Sequence, residues 1–177
     1  ISHFAYSSFN FFLAKAPFLL RPMTQALGCI KSMQIRLAVR SDYDQLLDLL
    51  RQLNPTDPEA SEIELKVFEE IIESKHFDLV VAYDEDIILG TCYINIIPNI
   101  TRGGRPYAVI ENVVTDSAHR RNGIGRALVN KAVEIAWEQN CYKVMLLSGQ
   151  GVEAVRAFYK KCGFDENEKQ AYVKRAP

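Results

Sequence analysis

The residues with the clearest chemical potential lie in one stretch, 111–126, which reads as a strand, a polar turn, a glycine-containing loop and a helix start. The first N–H groups of a helix lack partners within the helix, and the helix dipole adds partial positive charge there. Gly123 and Gly125 let the oxygens of an anion approach this backbone closely. Three arginines add mobile positive charge: Arg120, Arg121 and Arg126. The stretch therefore predicts a site for a pyrophosphate group.

Two other phosphate-binding motifs do not fit this stretch. A P-loop requires Gly-Lys followed by Ser or Thr, which is absent from it. The dinucleotide motif G-x-G-x-x-G requires a glycine at position 128, where this chain has Leu128. A helix-initiating turn that binds no ligand remains the simplest alternative interpretation.

Two motifs resemble the GCN5-related N-acetyltransferase (GNAT) superfamily. Arg120-x-x-Gly123-x-Gly125 matches the R/Q-x-x-G-x-G/A acetyl-CoA signature of that superfamily, and residues 157–164 resemble its "FYxKxGF" segment. The resemblance covers roughly residues 35–173. It implies acetyl-CoA as the cosubstrate and the GNAT α/β fold, a mixed and mostly antiparallel sheet with a splayed central strand pair, flanked by helices.

Within the superfamily, residues 110–114, 141–143 and 158–164 look like glucosamine-6-phosphate N-acetyltransferases. That group carries Asp-Glu-Lys-Asn before its Phe-Tyr, whereas this chain reads Gly-Val-Glu-Ala-Val-Arg-Ala, and Val152 stands where the superfamily often has asparagine. The resemblance implies transfer of acetyl to a primary amine, and we favour a small-molecule acceptor. A peptide or antibiotic amine is the alternative among enzymes, and a CoA-binding sensor without turnover is the alternative outside them.

The resemblance also implies roles for individual residues. Residues 113–115 look like the family's splayed strand, whose backbone pairs with the pantetheine arm. Tyr159 is implied as the acid that protonates the departing sulfur, unless it only packs within the apolar stripe of its helix. The predicted cofactor-binding residues are Val113, Val114, Thr115, Arg120, Arg121, Asn122, Gly123, Ile124, Gly125, Arg126, Ser148 and Tyr159.

Acetyl transfer to an amine requires two proton transfers. An alkyl ammonium titrates near ~10.4 and a thiol near ~8.5, so positioned groups help both steps. Glu111 lies in an apolar strand and is the candidate base, directly or through water; the alternative is a structural carboxylate paired with an arginine. We expect the backbone N–H of Val113 to bind the thioester carbonyl.

Cysteine chemistry is the main competing mechanism. An acyl-cysteine route needs an activated thiolate with a basic partner. Cys92, Cys141 and Cys162 instead lie in apolar patterns typical of small core residues. No C-x-x-C pair is present, so we predict no metal site. His119, in the polar turn before the loop, is expected to be solvated.

Composition excludes several classes of partner. The net charge of −1 argues against a nucleic-acid binder, and no apolar run approaches the ~20 residues that span a bilayer. Scattered cysteines favour a reducing compartment, so we expect a cytoplasmic protein.

The loop Arg102-Gly103-Gly104-Arg105 could contact an anionic acceptor, reach across a dimer or form a solvated turn. We favour a solvated turn that also reaches across a dimer, and we therefore expect the protein to form a homodimer.

Residues 1–32 differ in composition from the rest of the chain, with six aromatic residues, three basic residues and no acidic residue. A secretory or transit-like segment is one interpretation. A strand-then-helix pattern begins at Met33. We therefore expect residues 1–32 to be an N-terminal extension outside the catalytic domain, and residues 33–177 to be the acetyltransferase domain.

Hydrophobic periodicity predicts an alternation of strands and helices. We expect one helix after Ser41 and Asp42, and a second begun by a capping box of Ser61 and Glu64. Weak strand signals close the chain. The remaining predicted elements are strands at 35–39, 77–83, 86–97, 107–115 and 142–147, and helices at 123–139 and 152–162. Such an order predicts a mixed sheet covered by helices.

Overall fold

The computed structural model describes residues 32–58, 60–149 and 151–176. Within them the chain forms five strands and four helices. The strands are β1 (Gln34–Leu37), β2 (Phe77–Asp84), β3 (Ile87–Ile97), β4 (Tyr107–Thr115) and β5 (Val144–Leu146). The helices are α1 (Tyr43–Arg51), α2 (Glu62–Glu73), α3 (Ile124–Glu138) and α4 (Glu153–Lys161).

The strands form one mixed sheet in the order β1-β2-β3-β4-β5. The first four are antiparallel neighbours, and β5 runs parallel to β4. The β4–β5 pairing covers three rungs only and ends at Ile110 opposite Leu146, while β4 continues to Thr115. The pairing of the two strands therefore stops at Ile110, and the predicted mixed, mostly antiparallel sheet is confirmed. Within the described residues this separating pair lies at the edge of the sheet rather than at its centre.

Helices cover both faces of the sheet. On one face, α3 packs on β3 and β4 through a core that includes Ile110, Ile124 and Leu128. Gly90 allows this close packing, because a Cβ there would lie 2.9 Å from Leu128 Cδ1 and 2.9 Å from the Val114 carbonyl oxygen. On the other face, α1 and α2 enclose a second core that includes Leu46 and Phe68.

The two N-terminal helices begin in different ways. The capping box of α2 is confirmed, since Ser61 Oγ accepts from the Ile63 N–H and Glu64 accepts from the Ser61 N–H at 2.8 Å. The predicted side-chain cap of α1 is wrong. A 3₁₀ turn precedes this helix, and the Asp42 carboxylate accepts instead from the Val39 N–H and from the Arg36 guanidinium.

The last predicted feature of the chain is also wrong, because no strand follows α4 within the described residues. This part of the chain is exposed, and the side chains of Tyr172 and Val173 keep 87% and 74% of their accessible surface. The predictions for residues 1–31 lie outside the described residues.

Candidate active site

The turn that joins β4 to α3 has the geometry of an anion site. Gly123 precedes the helix with φ of 80°, a left-handed conformation that glycine adopts without strain. The first helical bond runs from the Ala127 N–H to the Gly123 carbonyl at 3.0 Å, so the amides of the first turn have no partner within the helix. The Ile124 side chain is buried in the core, which leaves only its backbone for a ligand.

The arginines and neighbouring residues of this turn face solvent. Arg120, Arg121, Asn122 and Arg126 are all exposed. Arg120 also donates its Nε–H to the Thr115 carbonyl at 3.3 Å, which ties the loop to the end of β4. Their guanidinium groups can therefore approach a phosphate at the helix N-terminus without displacing core side chains.

Hydrogen bonds of Asp116 and Gln52, here called the clamp, hold the turn in place. The Asp116 carboxylate accepts from the Ala118 N–H at 3.0 Å and from Gln52 Nε2 at 2.9 Å, and lies 2.7 Å from His119 Nδ1. Gln52 also accepts from the Ser117 N–H at 2.9 Å. Although burial opposes it, the hydrogen bonds that Asp116 accepts hold the pKa of this carboxyl below its usual value. Gln52 thus joins the end of α1 to the loop.

Gly125 lies where α3, β4 and α4 meet. A Cβ at this position would lie 3.3 Å from Thr115 Oγ1 and 3.4 Å from Phe158 Cζ, closer than most such contacts in proteins. The absence of a side chain therefore lets the first turn of α3 sit against the strand that leads into it. The same position keeps the helix N-terminus close to α4.

A β-bulge interrupts β4 just beyond its last contact with β5. Tyr93 of β3 faces Glu111 and Thr91 faces Val114, so two residues of β4 stand opposite Cys92 alone. Asn112 takes φ of 50° in this bulge. A bulge removes a residue from the regular ladder and redirects its backbone groups. Val113 therefore lies at an irregular position beside the gap, which suits the predicted carbonyl contact.

Glu111 and Tyr159 flank this gap. Glu111 is the residue of β4 immediately after the last β4–β5 pair, and it is half-buried. Tyr159 packs against the core beneath α3 and contacts the rings of Phe158 and Phe164, with centroid distances of 4.9 and 6.2 Å. Tyr159 therefore does pack against neighbouring aromatic rings, as the alternative interpretation of this residue predicts.

The pKa of Tyr159 is raised, chiefly by burial and further by Cys162, Cys92 and the charge of Glu111. The phenol therefore stays protonated at neutral pH, which is the form that a proton donor requires. Glu111, the other predicted catalytic residue, also contributes to this rise in pKa. Their catalytic roles stay predictions.

Among the described residues, the three cysteines have raised pKa values, which disfavours the thiolate that covalent catalysis needs. Burial raises the pKa of Cys92 to about 12, and its thiol lies 3.7 Å from the Leu128 carbonyl oxygen. Burial also raises the pKa of Cys141 and of Cys162. The interpretation of Cys92 and Cys141 as small core residues is confirmed, whereas Cys162 is only half-buried.

A cavity of about 1070 Å³ opens beside the gap, between β5, α4 and the chain that follows α4. Ser148 and Tyr159 line it, together with Leu146 and Trp137. Residues 120–126 are not among the described residues that line this cavity. The residues predicted to bind acetyl-CoA therefore fall into two groups, one at the N-terminus of α3 and one across the gap between β4 and β5.

Two contributors to the site were missed from the sequence. Gln52 and Asp116 carry no motif, and only the fold brings them together across 64 residues. The described residues contain no group of three or more His, Cys, Asp and Glu side chains placed to hold a metal ion. No helix among them is long and apolar enough to cross a membrane.

Known proteins with similar sequence or structure define the class. A glucosamine 6-phosphate N-acetyltransferase of Trypanosoma brucei brucei is 34% identical over 143 residues, which cover 80% of this chain and 95% of that protein. A crystal structure of a Trypanosoma brucei acetyltransferase is 32% identical, with a TM-score of 0.70 over 81% of this chain and 100% of its own. A glucosamine-6-phosphate N-acetyltransferase structure from Arabidopsis thaliana is 27% identical, with a TM-score of 0.71 over 81% and 99%.

These relatives are acetyltransferases, and the likeness covers nearly the whole of each. The Acetyltransferase (GNAT) family matches residues 43–164 of this chain. The protein belongs to this family and is an enzyme of the N-acetyltransferase class.

Proposed function

We propose that the protein transfers the acetyl group of acetyl-CoA to the primary amine of a small molecule, by direct attack in a ternary complex. The observation that carries this proposal is the adjacency of three features: the helix N-terminus at Gly123, the bulged end of β4, and the gap flanked by Glu111 and Tyr159. The first suits a pyrophosphate, the second an extended pantetheine arm, and the third the reacting groups.

The groups beside the gap divide the proton transfers between them. Glu111 accepts the proton of the acceptor ammonium, directly or through water, because only a free amine attacks a carbonyl. The backbone beside the bulge donates a hydrogen bond to the carbonyl oxygen as negative charge develops on it. Tyr159, held protonated by its raised pKa, gives its proton to the departing sulfur. The second proton of the attacking nitrogen, lost as the amide forms, returns to Tyr159 directly or through water.

The direct route is favoured over an acyl-cysteine. A thiol whose pKa is raised to about 12 holds almost no thiolate at neutral pH, and Cys92 is fully buried. The raised pKa values of Cys141 and Cys162 point the same way. Steady-state rates measured over both substrates test this step, because a ternary complex gives intersecting reciprocal plots and an acyl-enzyme gives parallel ones.

Glucosamine 6-phosphate is the first acceptor to test, because relatives with 34% and 27% identity carry that substrate in their names. The experiment follows release of the CoA thiol from acetyl-CoA with glucosamine 6-phosphate, glucosamine, an aminoglycoside and a peptide amine. We expect turnover with an amino sugar above the hydrolysis rate without acceptor. Acetyl-CoA binding without turnover on any amine would contradict the proposed activity.

We also propose that the enzyme acts as a homodimer in the cytoplasm. Support for the dimer comes from apolar side chains near β5 that remain half-exposed, with Trp137 at 52%, Leu147 at 57% and Val152 at 50%. Molar mass by light scattering tests the assembly, and a Leu147→Glu variant should shift the protein toward monomer. A monomeric wild-type protein at micromolar concentration would contradict it.

A further inference from the structure

The cavity beside Tyr159 is lined by amines as well as by the phenol. The lysines among its lining residues are Lys143, Lys160 and Lys169. The Lys143 ammonium lies over two tyrosine rings, 5.3 and 5.6 Å from their centres, and the Lys160 ammonium lies 2.7 Å from the Glu166 carboxylate. Lys169 differs, because within the described residues its side chain forms no ion pair, hydrogen bond or ring contact. Lys169 therefore brings an unpaired amine to the cavity.

The chain that carries Lys169 is held close to Tyr159 at two points. The ring of Phe164 packs against the core, with its centroid 6.2 Å from that of Tyr159. Two residues later, Glu166 accepts two hydrogen bonds of 2.8 Å from Arg156 of α4. An extended chain advances at most ~3.6 Å per residue, so the Cα of Lys169 stays within roughly 11 Å of that of Glu166. The anchors therefore confine Lys169 to the surroundings of the cavity.

Beyond Glu166 the chain has little to fix its conformation. Residues 167–176 are exposed, and they form no helix or strand within the described part of the chain. A segment with few buried contacts changes its local conformation at a low cost in free energy. Lys169 can therefore move along the cavity while Phe164 and Glu166 keep the start of the segment in place.

The proposed acid and an unpaired amine thus line one cavity, in a chain that binds its own acyl donor if the proposed function is correct. We propose that the enzyme acetylates its own Lys169, which acts as an acceptor in the cavity of the same chain. This inference rests on the proposed acetyl transfer and adds an intramolecular substrate to it. Tethering favours such a reaction, because a short flexible linker gives the attached group an effective concentration on the order of millimolar.

The reaction follows the steps proposed for an external amine. The ε-ammonium of Lys169 gives one proton to Glu111 or to water, and the resulting amine attacks the thioester carbonyl. A C–N bond forms and the C–S bond breaks, and the departing sulfur takes the proton of Tyr159. The second proton of the nitrogen restores the phenol. The products are an acetylated lysine without charge, the CoA thiol and one proton released to solvent.

The test incubates the full chain with acetyl-CoA and no added acceptor, and follows intact mass and modified peptides by mass spectrometry. We expect one acetyl group per chain, located at Lys169. Lys169→Arg should abolish this modification, because a guanidinium keeps the positive charge but stays protonated and is not a nucleophile. Tyr159→Phe should slow it at least tenfold. Lys174→Arg is the matched control, since Lys174 lies on the same exposed segment but does not line the cavity, and it should change nothing.

A mixture of two variants tests whether the transfer occurs within one chain. In Tyr159→Phe the lysine lacks the acid, and in Lys169→Arg the acid lacks the lysine. We expect the mixture to acetylate Lys169 no faster than Tyr159→Phe alone. Faster modification of the Tyr159→Phe chain in the mixture would show that the acid of one molecule serves the lysine of another, and would overturn the assignment to a single chain.

Three further results separate this inference from the proposed function. Lys169 left unmodified by a preparation that acetylates glucosamine 6-phosphate would refute the inference and leave the function intact. Equal modification of Lys169 in the wild type and in Tyr159→Phe, with Lys174 modified to the same extent, would indicate chemical acetylation of exposed lysines and would also refute it. Modification confined to Lys169 and dependent on Tyr159, without turnover on any small amine, would support the inference and contradict a small-molecule acceptor.

Discussion

The two sides of the gap between β4 and β5 are held in place in different ways. On the β4 side, a nine-residue strand pairs with β3 along most of its length, and the Asp116–Gln52 clamp fastens the turn that follows. On the other side, β5 has three residues, none of them fully buried, and α4 contains no buried residue. The turn between β4 and α3 is therefore anchored to the sheet and to α1, whereas Tyr159 belongs to a helix without buried residues.

Surface charges join α4 to the segment that follows it. Arg156 donates two hydrogen bonds of 2.8 Å to Glu166, and Lys160 lies 2.7 Å from the same carboxylate. These partners lower the pKa of Glu166 to about 2. Exposed ion pairs contribute little to stability and weaken with salt. The comparison teaches that the proposed pyrophosphate site is a preformed turn, whereas the proposed acid, Tyr159, lies on the side of the gap that is less tightly packed.

The largest effect should come from removing the hydroxyl of Tyr159, the proposed acid. Tyr159→Phe keeps the ring contacts with Phe158 and Phe164 but removes the hydroxyl, so kcat should fall roughly 10²–10⁴-fold. Acetyl-CoA affinity should change little. In the wild type, activity should persist until the pH exceeds ~10, because the raised pKa keeps the phenol protonated up to that range. Near-normal kcat in the variant would assign Tyr159 to packing alone.

The second effect concerns the base on the β4 side. Glu111→Gln should preserve the strand and acetyl-CoA binding but lower turnover by about 10²-fold near neutral pH. The loss should shrink as the pH approaches ~10.4, because a free amine no longer needs the carboxylate. A pH–rate profile of both proteins measures this. A loss independent of pH would indicate instead that Glu111 binds the positive charge of the acceptor.

Sequence patterns identified the β4 side almost to the residue. The strand predicted at 107–115 is β4 as observed, and the helix predicted at 123–139 differs from α3 by one residue at each end. Both elements combine strong periodicity with glycine signals, and both are packed by the core that the pattern describes. The same motif marked the turn between them.

Sequence patterns failed where tertiary contacts decide the structure. Asp42 does not cap α1 as expected, because its carboxylate accepts hydrogen bonds from Arg36, six residues earlier. The closing strand is absent from the described residues because its alternation is weak and no neighbouring strand pairs with it there. The hydrogen bond between Gln52 and Asp116 joins residues that are distant in sequence, so no local motif predicts it.

The third effect probes how rigid the preformed turn is. Gly125→Val adds branched carbons where even one Cβ would lie 3.3 Å from Thr115 and 3.4 Å from Phe158. We expect acetyl-CoA affinity to fall at least tenfold, with a smaller loss in Gly125→Ala. Titration calorimetry measures the affinity, and circular dichroism checks that the fold survives. Unchanged affinity in the folded valine variant would exclude residues 123–126 as the pyrophosphate site.

The smallest effect should come from loosening the clamp without touching the ligand. Gln52→Ala removes the bonds to Asp116 and to the Ser117 N–H, so the loop should sample more conformations before binding. We expect KM for acetyl-CoA to rise a few-fold while kcat stays near the wild-type value, because each lost bond contributes about 1 kcal/mol.

Gln45 supplies the matched control for this experiment. It lies on the same helix and also makes two hydrogen bonds, to the Asp86 carbonyl at 2.9 Å and from the Ile88 N–H at 3.0 Å, but these fasten the β2–β3 turn. Gln45→Ala should therefore lower the melting temperature about as much as Gln52→Ala and leave KM for acetyl-CoA unchanged. If both variants raise KM equally, the effect results from a less stable α1, and the clamp does not position the turn between β4 and α3. A rise confined to Gln52→Ala would show that α1 helps to hold the loop in its binding conformation, which is the property that distinguishes the β4 side from the α4 side.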